Sequence, residues 1–184
     1  MPKVTEEYKE RRRAQIVEAA QRTFARHGFE GATVTRLEEE TGLSRGAIFS
    51  YFENKDDLFV AVVSESSDRL VAIWMEHGYR ALLEAIAHED PDWLAVQLEG
   101  ARRVRTDPDF RRRIGRLEEE AADRRAERLE RLRPGLRDDL PLESVVLFLN
   151  ILANAVAFVR VIEDKLPDLD VLMELVETGV APRR

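Results

Sequence analysis

Residues 33–52 read TVTRLEEETGLSRGAIFSYF, two short helical stretches around a three-residue turn that contains Gly42. Thr33 (or Thr35, with Glu38 three residues on) is a candidate N-cap for the first stretch, which ends at Thr41 and Gly42. Ser44 is placed to cap the second, which carries Arg45, Gly46, Ala47, Ile48, Phe49, Ser50 and Tyr51. Leu37 and Ile48 can pack where the two helices cross. This is the helix-turn-helix pattern, whose second helix lies in the DNA major groove. The chemistry suits that role. Arg45 can fork onto guanine, and Gly46 and Ala47 permit close approach to the groove. Ser50 can bond a base edge or a phosphate, and the Tyr51 hydroxyl can reach a phosphate. Asn54 is a candidate cap for the next helix, where Lys55 adds a cation beside backbone amides. Spacing alone also fits an ordinary helical hairpin with a polar surface.

Outward from this stretch, nearly everything reads as helix, and strict alternation is absent. On the N-terminal side, Ile16, Ala20 and Phe24 recur every four residues and Val17 joins them, predicting a helix from about residue 6 to 26. Gly28 suits the left-handed position after it, with Phe29 folding back on the last turn. On the C-terminal side, Asp56 and Asp57 open a helix that runs through Leu58, Phe59, Val62, Leu70 and Trp74 and stops before Gly78. Further helices are predicted near 79–88, 92–105, 108–132, 143–163 and 168–178, punctuated by Pro91, Pro108, Pro134, Pro141 and Pro167. The chain therefore reads as all-α. Residues 1–55 form a three-helix DNA-binding head, and residues 56–184 a helical body for effector binding and dimerisation, with no flexible linker between them.

Charge and composition are compatible with this. The 184 residues have a net charge of -7, unevenly spread. Residues 1–55 hold ten basic and nine acidic side chains, net +1; the remainder hold nineteen and twenty-seven, net -8. A near-neutral head on an acidic body allows local DNA contact. With 35% charged and 44% hydrophobic residues, a disordered or low-complexity chain is excluded. The chain has no cysteine, so there is no disulfide framework and no thiolate zinc site or nucleophile. The start is polar, unlike a secretory signal. The most apolar segment, residues 145–159, is interrupted by Asn150 and Asn154 and is shorter than the ~20 residues that cross a bilayer. A soluble cytoplasmic protein with no membrane partner is expected. His27, His77 and His88 lack metal-ligand spacing, Ser64, Ser66 and Ser67 have no nearby histidine, and no phosphate loop is present, so no enzyme is indicated.

In the body, residues 143–163 are apolar on every face of a helix, so one side can be core and another a partner subunit. Asn150 and Asn154 lie one turn apart. They read either as an interhelical hydrogen bond or as the polar wall of an effector pocket. In the arginine-rich helix, Phe110, Ile114, Leu117, Ala121, Arg128 and Leu132 share one stripe. Arg128 is then either a snorkelling or ion-paired side chain, or a cation that grips an anionic effector. Its arginine neighbours interleave with Glu118, Glu119, Glu120, Glu127 and Glu130, a solvated, salt-bridged face.

The string GFEGATVTRLEEETGLSRGAIFSYFENKDDLF resembles the N-terminal domain of the TetR family of bacterial transcriptional regulators. The matching frame is Phe24, Gly28, Thr33, Val34, Leu37, Gly42, Ser44, Gly46, Tyr51, Phe52, Lys55 and Leu58. The resemblance implies a homodimeric repressor that binds a palindromic double-stranded DNA operator and leaves it when a small molecule binds the body. It carries DNA contact onto Thr33, Ser44, Arg45, Gly46, Ala47, Ser50, Tyr51 and Lys55, and dimerisation onto the helices near 143–163 and 168–178. RLEEETGLSRGAIF together with RTDPDFR is similar to the branch that represses aconitase. That similarity implies an organic acid such as citrate as effector, with a possible divalent cation and no required cofactor. It places effector contacts on Arg128 and on Glu177. One departure stands out: the family usually has a small residue where this chain has Glu38, and the run Glu38–Glu40 sets acids on a helix near phosphates. A second class therefore stays open, a helical small-molecule- or metal-binding protein whose head does not bind DNA.

Overall fold

The computed structural model describes residues 5–163 and 168–180. Pro167 lies outside them, as do the side chains of Leu117, Glu118, Glu120 and Ala121. Among the described residues every regular element is helical: α1 (Glu6–Gly31), α2 (Val34–Thr41), α3 (Arg45–Ile48), α4 (Lys55–Ala87), α5 (Pro91–Thr106), α6 (Pro108–Leu132), α7 (Leu142–Ile162) and α8 (Leu169–Val180), with a 3-10 turn at Arg133–Gly135. The helix starts follow the capping chemistry. Thr5, Thr33 and Ser44 each accept a backbone N–H from the third residue on, and the Asn54 carboxamide accepts from Asp57. Gly28 breaks α1 at φ 66°, and Gly42 ends α2 at φ 66°, ψ 17°, where a Cβ is strained. At Gly78, with φ 87° and ψ 174°, the backbone leaves the helical region, so α4 holds two helical segments that meet where the sequence placed a stop.

By packing the chain forms two compact units, residues 1–67 with 95–114, and residues 68–94 with 115–184. The boundary expected at residue 55 falls inside the first unit, whose core draws in later elements. Ile16, Ala20, Phe24, Leu37 and Ile48 are joined there by Leu58, Phe59 and Val62 of α4 and by Phe110 of α6, all buried. Phe59 meets Phe24 and Phe29 edge-on at 5.0 Å each and Phe110 at 5.9 Å. Gly100 lets α5 approach the Phe59 ring, since a Cβ there would lie 3.2 Å from it.

The second unit is built on Leu82, Leu83 and Ile86 of α4, Ala153 and Val156 of α7, and Met173 of α8. Val145 and Leu149 of α7 pack with Val176 and Val180 of α8 in a neighbouring cluster. The Tyr79 hydroxyl donates to the Leu149 carbonyl at 2.5 Å, and burial pushes its pKa well above the ordinary phenol value. At 21 residues, α7 is long and apolar enough, by length and composition, to cross a bilayer, which corrects the expectation drawn from residues 145–159 alone. Its apolar residues divide between two faces. Leu142, Val145, Leu149, Ala153 and Val156 are buried, whereas Leu147, Phe148, Ile151, Phe158 and Ile162 are exposed, Ile151 to 60%. On α8, Val171 and Leu175 are exposed too.

Candidate nucleic-acid interface

Leu37 and Ile48 are both fully buried, so the helix crossing is fixed by apolar contact on the inner side of α2 and α3. The outer side of α3 is open: Ser44, Arg45 and Gly46 are exposed and Ala47 is half-buried. The helix is shorter than its sequence suggests. It ends at Ile48, and Phe49–Tyr51 form a turn in which the Ser50 hydroxyl donates to the Ala47 carbonyl at 2.7 Å and Tyr51 N–H donates to the Ile48 carbonyl at 3.1 Å. A serine that bonds the backbone behind it competes with helix continuation. Ser50 is exposed and Tyr51 half-buried, and both border a shallow groove of about 530 Å³ against Tyr8, Lys9 and Arg13 of α1.

The remaining head residues divide into engaged and open groups. Thr33 is exposed; its hydroxyl oxygen accepts the Arg36 N–H at 3.4 Å, leaving its own hydrogen to donate. Lys55 is less open than expected. Its ammonium donates to the Phe29 carbonyl at 2.9 Å and lies 4.3 Å from the centre of the Phe29 ring, so it holds the α1 turn as well as starting α4. The acidic run is also largely occupied. Glu38 accepts the Arg45 backbone N–H at 2.6 Å, and Glu40 accepts from Arg22 at 2.7 Å and Arg26 at 2.8 Å. The Arg22 hydrogen bond holds the Glu40 carboxyl below the usual carboxylate range, with Arg26 adding to it. Only Glu39 of the three is fully exposed.

Sequence reasoning missed the clamp that steadies the head. Arg103 of α5 lies 3.9 Å from the Phe29 ring centre and 4.4 Å from that of Phe110, and it ion-pairs with Asp56 at 2.5 Å and Asp107 at 3.1 Å. Glu99 accepts the Phe29 N–H at 3.3 Å, and Arg113 of α6 ion-pairs with Asp57. The signal available was Asp56-Asp57 itself, two acids that a helix dipole accounts for without any partner.

In the body the expected effector residues lie on three helices, α6, α7 and α8. Arg128 is half-buried and pairs with Asp68 at 3.2 Å, within the second unit. Asn154 is exposed and donates to the Asn150 carbonyl at 2.8 Å, while Asn150 donates to that of Val146 at 2.9 Å. Both bonds stay within α7, so neither the interhelical bond nor an inward pocket wall describes them. Glu177 is exposed on α8. A small apolar groove of about 270 Å³ lies between Val145 and Phe148 of α7 and Val180 of α8, and none of the three residues lines it. Among the described residues no three His, Asp or Glu side chains converge as a metal site.

Residues 16–62 match the family model for bacterial regulatory proteins, tetR family. The chain is 37% identical over 185 residues to the HTH-type transcriptional repressor Rv1474c of Mycobacterium tuberculosis, covering 98% of each chain. It is 38% identical over 184 residues to the HTH-type transcriptional repressor AcnR of Corynebacterium diphtheriae, covering 98% of this chain and 97% of that one. Among solved structures, Salmonella enterica GusR has a TM-score of 0.65 at 18% identity, covering 96% of this chain and 97% of that one. A TetR transcription regulator from Haloarcula marismortui has a TM-score of 0.65 at 20% identity, covering 92% and 96%. At such identities these two speak for the fold alone, whereas the relatives matched end to end carry the lineage. The chain belongs to the tetR family of bacterial regulatory proteins, as a DNA-binding transcriptional regulator of the helix-turn-helix type and not an enzyme.

Proposed function

We infer that the protein is a cytoplasmic homodimeric repressor that grips a palindromic operator with its two heads and is released by a small organic acid. The observation that carries the reading is the open face of α3: Ser44, Arg45 and Gly46 are exposed while Ile48, on the opposite side, is fully buried. Arg45 is assigned to base readout, with Gly46 and Ala47 permitting close approach. Thr33, Ser44, Ser50, Tyr51 and Lys55 are assigned to phosphates, which fix register without reading sequence. The occupied acids of the run at Glu38–Glu40 remove the motive for a head that avoids DNA.

The exposed apolar face of α7 and α8 supports dimerisation, since its large side chains need a partner surface of the same chemistry. Two heads related by a two-fold axis meet successive major grooves about 34–36 Å apart, or a multiple. Asn154 is reassigned to this subunit face. For the effector, Arg128 is the bidentate cation of choice, and its Asp68 partner is 58% exposed. An acid such as citrate can replace Asp68 on Arg128, and by linkage its binding and DNA binding weaken one another.

The test is a mobility-shift assay on the protein's own upstream region, comparing wild type with Arg45→Ala at equal helicity by circular dichroism. Loss of the specific complex is expected, with about 1–3 kcal/mol of base discrimination removed. Equal shifts with both proteins would refute the assignment.

A further inference from the structure

Glu38 remains unaccounted for by DNA contact, and its surroundings give it a task. The helix that reads DNA has four residues, Arg45–Ile48. So short a helix does not hold its own geometry, and its place must be imposed from outside. Ile48 supplies one apolar anchor, and the Ser44 hydroxyl accepts the Ala47 N–H at 3.4 Å. The shortest bond to α3 comes from α2: the Glu38 carboxylate accepts the backbone N–H of Arg45 at 2.6 Å. That amide belongs to the first helical residue, an orphan donor of the helix. It also belongs to the residue whose side chain is assigned to base readout. Glu40 carries the tie further back, since its bonds to Arg22 and Arg26 fix α2 on α1. The acidic run thus links α1 to α2 and α2 to α3.

We propose that Glu38 is a positioning residue that sets the sequence specificity of this regulator by holding the Arg45 backbone in register with the base edges. It touches no DNA. It acts through the hydrogen bond that its side-chain oxygen accepts, which fixes where the Arg45 side chain begins; readout tolerates displacements of only about 0.5 Å. A small residue at this position supplies no such bond. The inference rests on the DNA-binding reading above, and the test separates the two.

A duplex is first selected by the wild-type protein from a random library, and its affinity is compared with that of a scrambled duplex of equal length at fixed salt. Absence of any selected sequence would count against DNA readout itself. Given a selected duplex, Glu38→Met, which keeps the bulk and removes the acceptor, lowers the specific-to-scrambled ratio about tenfold, the size of one charge-assisted hydrogen bond. Glu38→Gln, which keeps an acceptor oxygen and loses the charge, stays within about twofold of wild type in that ratio. A wild-type ratio in Glu38→Met, or an equal fall in both variants, would overturn the proposal. Amide hydrogen exchange gives a reading that does not depend on the Met variant folding: the Arg45 N–H is protected in wild type and in Glu38→Gln. An unprotected Arg45 amide in wild type would overturn it as well.

Discussion

Replacing Arg103 with alanine removes one cation from between two phenyl rings, and the structure allows its cost to be assembled. Arg103 is 14% exposed, so its contacts with the Phe29 and Phe110 rings are made with little competing water and count for about 1 kcal/mol each. The Asp56 bond adds about 1.5 kcal/mol, the low end for a charged partner, because Asp56 is 36% exposed. Asp107 loses less, since its carboxylate still accepts the N–H groups of Asp109 and Phe110 at 3.0 Å each. Against these stands Nη1 of Arg103, buried with no hydrogen-bond partner, which already costs the folded state about 1 kcal/mol. The net loss is about 2–3 kcal/mol. For a chain of 184 residues that lowers Tm by about 5–10 °C, read by circular dichroism at one protein concentration. Because Asp56 stands in the first turn of α4, operator affinity should fall too, below the temperature where unfolding begins. A Tm within about 2 °C of wild type would show that the stacked guanidinium contributes nothing net, and the clamp would lose its standing as what joins α5 to the head.

Three further outcomes are expected. Ile151→Glu sets a charge on the most open apolar part of α7, and sedimentation should show the dimer weakened at least about thirtyfold, some 2 kcal/mol, while an unchanged dimer would place the seam elsewhere. Arg128→Ala should leave operator binding intact and abolish release by a tricarboxylate; release at the wild-type acid concentration would remove Arg128 from the effector site. The Glu40 carboxyl has a folded-state pKa below its ordinary value, so its contribution to stability is complete above about pH 5 and is lost as pH falls through that lowered value. Denaturant titrations from pH 6 to 3 should therefore show a steeper loss for wild type than for Glu40→Gln, and parallel losses would refute the Arg22–Glu40–Arg26 tie.

What could be read in the sequence was whatever acts over three or four residues. The caps at Thr33, Ser44 and Asn54 each satisfy an amide three positions on, and the turn glycines sit at positive φ, because both effects are local to the backbone. The same locality misled at α3. Apolar spacing continues through Phe49, but the Ser50 hydroxyl bonds to Ala47 and the helix ends. Nor could spacing show that α5 and the start of α6 belong to the head's packing unit. The ties that put them there, Arg103 to Asp56 and Glu99 to Phe29, join residues 47 and 70 positions apart.

The effector site was less legible for a different reason. A helical wheel gives the direction a side chain leaves its helix, and nothing about what it meets. For Arg128 the direction was informative: the residue is half-buried, and its partner proves to be Asp68, sixty positions away on α4. For Asn154 direction was misleading, because an all-apolar helix has no polar side against which to judge which face is inner. Its exposed face carries Leu147, Ile151 and Phe158 alongside Asn150 and Asn154, so apolar and polar side chains share the outer side. What each body side chain meets is thus set by elements far away in the chain, whereas the helix-turn-helix is encoded within about thirty consecutive residues because its parts are neighbours in the chain.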